Sequence, residues 1–271
     1  MAKRVLIITY YWPPAGGPGV QRWLMFVKYF KRFGIEPIVY IPEGASYPLV
    51  DEKLSSEIDT EVEIISTPVK EPYKLAQLFS KKQTQQLSRG IISSSEPSFV
   101  EKLLLFIRGN FFIPDARVGW VPPSISYLSK YIAENTIDSI VTTGPPHSLH
   151  LIGMKLKEQL SIPWLADFRD PWTTIHYHKK LRLTKSAAKK HQQLEKKVLT
   201  TADQIVVTSP TTKTEFEAIT NRPIEVITNG YDINSEEKQS LDDKFTLAHI
   251  GSLLTERNPL ILWEVLAELV E

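Results

Sequence analysis

The chain contains no cysteine. That excludes a disulfide framework and any thiolate metal site. It fits a reducing compartment. Charge of one sign is also missing: 32 lysines and arginines stand against 31 acids, for a formal net charge of +1. No whole-chain electrostatic attraction to nucleic acid follows from such a balance. Long apolar runs are absent as well, since no stretch approaches the eighteen or so residues a bilayer span needs. The nearest is Ser98–Ile113, which Glu101, Lys102 and Arg108 interrupt. The apolar run near the N-terminus is only about six residues, too short for the core of a secretion signal. A cytoplasmic protein, at most peripheral on the inner face of a membrane, is therefore expected. What remains is ordinary globular material, 42% hydrophobic and 23% charged over 271 residues. That length is enough for a sizeable core and more than one domain.

Short β-branched runs alternate with helical patterns along most of the chain. Strands are predicted at 4–9, 37–41, 62–66, 138–142, 163–167, 204–208 and 224–227. Helices are predicted at 20–33, 122–134, 147–160, 186–201 and 211–219. Runs such as Ser139–Thr143 and Gln204–Thr208 are apolar without alternation, which suits parallel strands buried on both faces. The fold class this implies is α/β, a doubly wound and mainly parallel Rossmann-like sheet. Residues 68–118 break the rhythm and read as an insertion. Asn229-Gly230 is a turn signal, and an acid-rich stretch to residue 244 reads as a linker. A further strand, Phe245–Ile250, and a helix to Glu271 then begin a second α/β unit, so the domains expected are 1–228, a linker 229–244, and 245–271.

Four constellations carry chemistry. The first is Tyr10-Tyr-Trp-Pro-Pro-Ala-Gly-Gly-Pro-Gly19, between the first strand and the first helix. Glycines at a helix N-terminus make an anion site. Arg22 stands where a dinucleotide fingerprint needs a small residue, and the prolines lengthen the turn, so a longer phosphate-contacting loop is preferred over a dinucleotide site. The second is Thr142-Thr-Gly-Pro-Pro-His147-Ser-Leu-His150. His147 at a helix N-terminus should have a lowered pKa, so its neutral ring suits a sugar hydroxyl or a proton, while a surface cap is the alternative. His150 reads as structural. The third is Asp167-Phe-Arg169-Asp170-Pro-Trp172, which could bind polyol hydroxyls with the indole under a sugar face; an Asp–Arg pair that holds the loop is the alternative. The fourth is basic. Lys179, Lys180, Arg182, Lys185, Lys189, Lys190, Lys196 and Lys197 face one acid, Glu195, over 179–197. Such a run could dock on an anionic membrane, or form a solvated helix face. No nucleic-acid signature accompanies it.

Three motifs together resemble GT-B glycosyltransferases, most closely family four. Tyr11-Trp-Pro-Pro-Ala-Gly-Gly17 looks like the glycine loop after that family's first strand. Ile227-Thr-Asn-Gly-Tyr-Asp232 is similar to its interdomain turn. Ile250-Gly-Ser-Leu-Leu-Thr-Glu-Arg-Asn258 is similar to the first loop of its donor domain. The resemblance implies an N-terminal acceptor domain followed by the start of a nucleotide-sugar domain. It implies a nucleotide-sugar donor as substrate, a glycan or lipid-linked acceptor, retaining transfer, and no cofactor or metal in the protein. Gly16, Gly17, Gly251 and Arg257 would then contact the donor diphosphate. His147 would match the histidine that contacts the transferred sugar. Beside the resemblance, the reading of the residues expects His147 and Asp170 to be catalytic and Asp167, Arg169 and Trp172 to hold the acceptor or sugar. Ser252 and Arg257 stand where the family often has arginine and usually has lysine. The Glu-x7-Glu element of the family falls beyond residue 271, so the chain alone is expected to be inactive. A nucleotide-sugar epimerase of the same architecture, and a non-enzymatic glycan- or membrane-binding module, are the alternatives.

Overall fold

The computed structural model describes residues 2–69, 99–231, 242–250 and 258–270. The chain separates into two compact units after Gly230. The larger unit holds seven parallel strands: β1 (Lys3–Ile8), β2 (Ile35–Glu43), β3 (Glu63–Pro68), β4 (Ser139–Gly144), β5 (Trp164–Phe168), β6 (Gln204–Val207) and β7 (Ile224–Val226). Their order across the sheet is β3-β2-β1-β4-β5-β6-β7. The order runs one way from β1 to β3 and the other way from β4 to β7, so the switch point lies between β1 and β4. Ligands in open α/β sheets bind outside the carboxyl ends of the strands at such a switch.

Helices follow the strands in alternation: α1 (Pro18–Phe30), α2 (Phe99–Phe111), α3 (Val121–Glu134), α4 (Ser148–Leu160), α5 (Lys185–Thr201) and α6 (Pro210–Glu217). Every strand and helix expected in this unit is present, with ends shifted by a few residues. The central strands are buried on both faces. Val5 and Ile7 of β1 join Trp23, Leu24 and Val27 of α1 in one apolar cluster, whereas Leu6 and Ile8 face the cluster of α3 and α4 on the other side. Local chemistry sets the helix ends. Pro18 opens α1, where its missing N–H is no loss. Gly34 turns the chain away in a left-handed conformation at φ 71°. Thr184 and Ser209 cap α5 and α6 by accepting from the amides of Ala187 and Thr212.

Of the region expected to be an insertion, 68–69 and the residues from 99 onward are described. There it contributes α2, whose Leu104 and Leu105 pack on Leu181 and Leu183. In the smaller unit the helix α7 (Leu260–Val270) is formed. The strand expected over Phe245–Ile250 is not. Among the described residues, those of this segment pair with no neighbour, and Phe245 and Ile250 are almost fully exposed. A strand owes its stability to the ladder beside it, and these residues have none.

Candidate functional site

The loop after β1 is closed by the protein itself. The amide of Ala15 donates to Trp12 O at 3.0 Å, that of Gly16 to Leu49 O at 3.0 Å, and that of Asp51 to Pro14 O at 2.8 Å. Trp12 is buried beneath. Gly16 was expected to meet a diphosphate, and its amide is not open to one. Its place is needed for close approach, because a Cβ there would lie 3.1 Å from both Asp51 Cβ and Leu49 Cγ. Gly17 is different. It adopts φ 107°, a conformation that favours glycine, and its carbonyl starts α1 by accepting from Val20 and Gln21. A Cβ on Gly19 would fall 1.5 Å from Arg169 Nη1. The guanidinium of Arg169 therefore lies across the first turn of α1.

The loop after β4 carries His147. The backbone amide and hydroxyl of Ser148, which opens α4, bond Asp115 at 2.8 and 2.9 Å. The negative charge that a helix N-terminus favours is thus supplied from within the chain. The imidazole of His147 is buried, lies parallel to Trp172 at 5.2 Å and stacks on Phe168 at 5.8 Å. Neither of its ring nitrogens has a hydrogen-bond partner among the described residues. Burial pushes its pKa down to about 3, with Arg169, His178 and His191 adding to the effect. The expected direction holds, but burial rather than the helix dipole is the main cause. His150 is also buried and held well below its usual pKa, again first by burial. Its Nδ1 meets Thr142 Oγ1 at 2.8 Å, which fits the structural reading. Both rings crowd Gly144, where a Cβ would sit 2.5 Å from His150 Nε2 and 3.1 Å from His147 Nδ1.

The loop after β5 departs most from expectation. Asp167 does not face a sugar. Its carboxylate lies in the core and accepts from Arg22 Nη2 at 2.9 Å, Trp23 Nε1 at 2.7 Å and Thr143 Oγ1 at 2.8 Å. With both side chains of the Arg22–Asp167 pair 1% exposed, removing one partner strands a buried charge. Arg22 also donates to Thr228 O and Asn229 Oδ1, so it ties α1 to the end of the unit. Trp172 is no platform for a sugar either. One face covers His147, and its Nε1–H donates to His191 Nδ1 at 3.1 Å. Arg169 donates to Pro145 O, and its backbone amide to Gly144 O at 2.9 Å. Burial lowers the pKa of its guanidinium, while Asp167 and Asp170 oppose that shift. Asp170 stays half-buried next to it. Gly251 and Arg257 lie outside the described residues.

Two side chains of α5 hold this loop and were not among the expected site residues. Because Nδ1 of His191 accepts from Trp172, its Nε2 carries the proton and donates to Gly109 O at 3.2 Å. Glu195, one turn on, accepts from the Thr173 amide at 3.0 Å and from the Thr173 hydroxyl. Burial raises the pKa of Glu195. The spacing of Ala187, His191, Glu195 and Val198 was a signal that one polar pair sits on the apolar stripe of the helix. Among the described residues, no group of three or more His, Asp or Glu side chains is arranged to hold a metal ion.

The loops after β1, β4 and β5 thus meet at the switch point of a parallel sheet. Residues 90–235, just over half of the chain, match the family model for Glycosyltransferase Family 4. The chain belongs to that family. The match includes the loops that carry His147, Arg169 and Trp172, and ends after the Asn229-Gly230 turn. Solved glycosyltransferases are similar in fold at low identity. UGT2 of Phytolacca americana, bound to UDP-2-fluoro-glucose and pterostilbene, shares 11% identity at a TM-score of 0.49, covering 84% of this chain and 54% of its own. HepE of Anabaena, bound to UDP-glucose, shares 12% at 0.46, covering 85% and 45%. MurG of Acinetobacter baumannii shares 12% at 0.42, covering 85% and 46%. The family-four chain spans about half the length of each of these three. No curated protein sequence matches it.

Proposed function

We propose that the chain is the acceptor-side part of a glycosyltransferase that moves a sugar from a nucleotide-sugar to a glycan or lipid-linked acceptor, with retention. One observation carries this reading: His147 is buried at the end of β4 with both ring nitrogens unpartnered. A buried polar group without a partner costs about 1–3 kcal/mol, and a sugar hydroxyl would supply what is missing. With its pKa near 3, the ring is neutral at neutral pH and offers one donor and one acceptor. That suits a hydroxyl and not a phosphate. The Trp172 and Phe168 rings fix its plane.

The diphosphate then belongs at the head of α1. There Gly17 turns the chain and the Arg169 guanidinium supplies a fixed cation. Such a site stabilises charge that develops on a leaving diphosphate. Gly251 and Arg257 would complete it, and Asp170, next to Arg169 in sequence, would act with His147 as the catalytic carboxylate. The test is turnover of nucleotide-sugars by the gene product at its natural length, with and without acceptor. Release of nucleoside diphosphate should need the acceptor, and His147→Ala should lower it by about 10²-fold or more. An altered nucleotide-sugar formed with no acceptor present would replace this reading with epimerisation.

A further inference from the structure

The helix α2 presents an apolar stripe to solvent. Phe99 is 81% exposed and Leu103 48%, and Phe106 and Ile107 are also exposed. These four recur at i, i+4, i+7 and i+8, which places them on one face. The opposite face is accounted for: Leu104 and Leu105 pack on Leu181 and Leu183, and Gly109 lets Leu181 and Leu183 come close. Exposed aromatic and aliphatic side chains in a row mark a surface that meets something apolar.

What lies beside the stripe identifies the partner. Asn110 continues the same face. Its amide donates to Phe106 O and Arg182 O, and its oxygen accepts from the Thr184 amide. The exposed cations Arg182 and Lys185 therefore begin at the end of the stripe, and Lys189 and Lys190 follow on the exposed side of α5. The single acid of residues 179–197, Glu195, is buried under Thr173. An apolar helix face with exposed cations beginning at its end fits the headgroup region of an anionic bilayer. The helix spans Phe99–Phe111, and no helix among the described residues is long and apolar enough to cross a membrane. Such a helix lies in the plane of the interface.

We propose that α2 docks this protein on anionic lipid, with Phe99, Leu103 and Phe106 entering the interface and Arg182, Lys185, Lys189 and Lys190 pairing with headgroups. The docking element is thus the stripe, with the basic run as its rim. The test is co-sedimentation of the full chain with vesicles of phosphatidylcholine alone or mixed with phosphatidylglycerol, without donor or acceptor, so that the result stands apart from sugar transfer. The wild type should bind the mixed vesicles and release them as salt rises. Phe99→Ser/Leu103→Ser/Phe106→Ser should weaken binding at least about tenfold with the circular dichroism spectrum unchanged, since these side chains are exposed. Lys185→Glu/Lys189→Glu should weaken it by a similar factor on mixed vesicles only. Failure of the wild type to bind, or binding that survives both variants, overturns the proposal. So does a lipid-independent dimer that the triple variant abolishes, because the stripe would then cover a second copy.

Discussion

The loops after β1 and β4 leave the same edge of the sheet on either side of the switch point, and both are rich in glycine and proline. They treat their polar groups in opposite ways. The first is closed by backbone: Leu49 O takes the Gly16 amide and Pro14 O takes the Asp51 amide. The second keeps its backbone in order through Asp115 and Arg169, and leaves two ring nitrogens of His147 unmatched. A glycine-rich loop suggests that main-chain amides do the binding. Here the buried atoms left open at this edge belong to side chains, Trp12 after β1 and His147 and His150 after β4, and the glycines mostly make room for neighbours.

Three changes would break or sharpen that contrast. The largest effect is expected at the support both loops share. Asp167→Ala leaves the Arg22 guanidinium buried without its carboxylate and also frees Trp23 and Thr143, so stability should fall by about 3–5 kcal/mol, measured by urea unfolding. A loss under about 1 kcal/mol would mean that water reaches the pair. Next come the glycines. Gly144→Ala drives a methyl into the His150 and His147 rings and should cost about 1–3 kcal/mol, whereas Gly16→Ala meets side-chain carbons at 3.1 Å and should cost less than about 1 kcal/mol. Equal costs in the two variants would erase the distinction between the loops. Last comes the pH dependence. The His147 ring has its folded pKa depressed from 6.5 to about 3, so as pH falls through 6.5 the unfolded chain takes the proton first. Its contribution to stability is complete above pH 6.5 and is lost towards pH 3, by roughly 1 kcal/mol per pH unit. His147→Gln should flatten the fall in Tm between these limits, and an unchanged slope would count against a buried neutral ring.

Most of the architecture was legible in the sequence because it rests on local signals. Ser139–Thr143 and Gln204–Thr208 are β-branched runs that suit little but a buried parallel strand, and Gly34 marks the end of the first helix. The family also lay within reach, in the order of three motifs. The candidate site was legible only in part. His147 could be placed at a strand end, yet the cause of its low pKa is the burial that Trp172 and Phe168 provide. Asp167 and Trp172 look polar and amphipathic in one dimension. In three they are claimed by Arg22 and His191, partners that no spacing rule connects to them. Phe245–Ile250 shows the converse: a strand-like sequence makes no strand where no described residue pairs with it.

Arg22 has a consequence for the order of events during synthesis. Its charge is set down near the start of the chain, and the carboxylate that neutralises it follows 145 residues later. Its remaining acceptors, Thr228 O and Asn229 Oδ1, come 206 and 207 residues after it. Contacts so distant in sequence form late, and a ribosome delivers them last. The helix behind the glycine loop can be wound early, but it cannot take its final seat until the last turn of the unit has emerged. One of the first side chains made thus serves as the check that the domain has been finished.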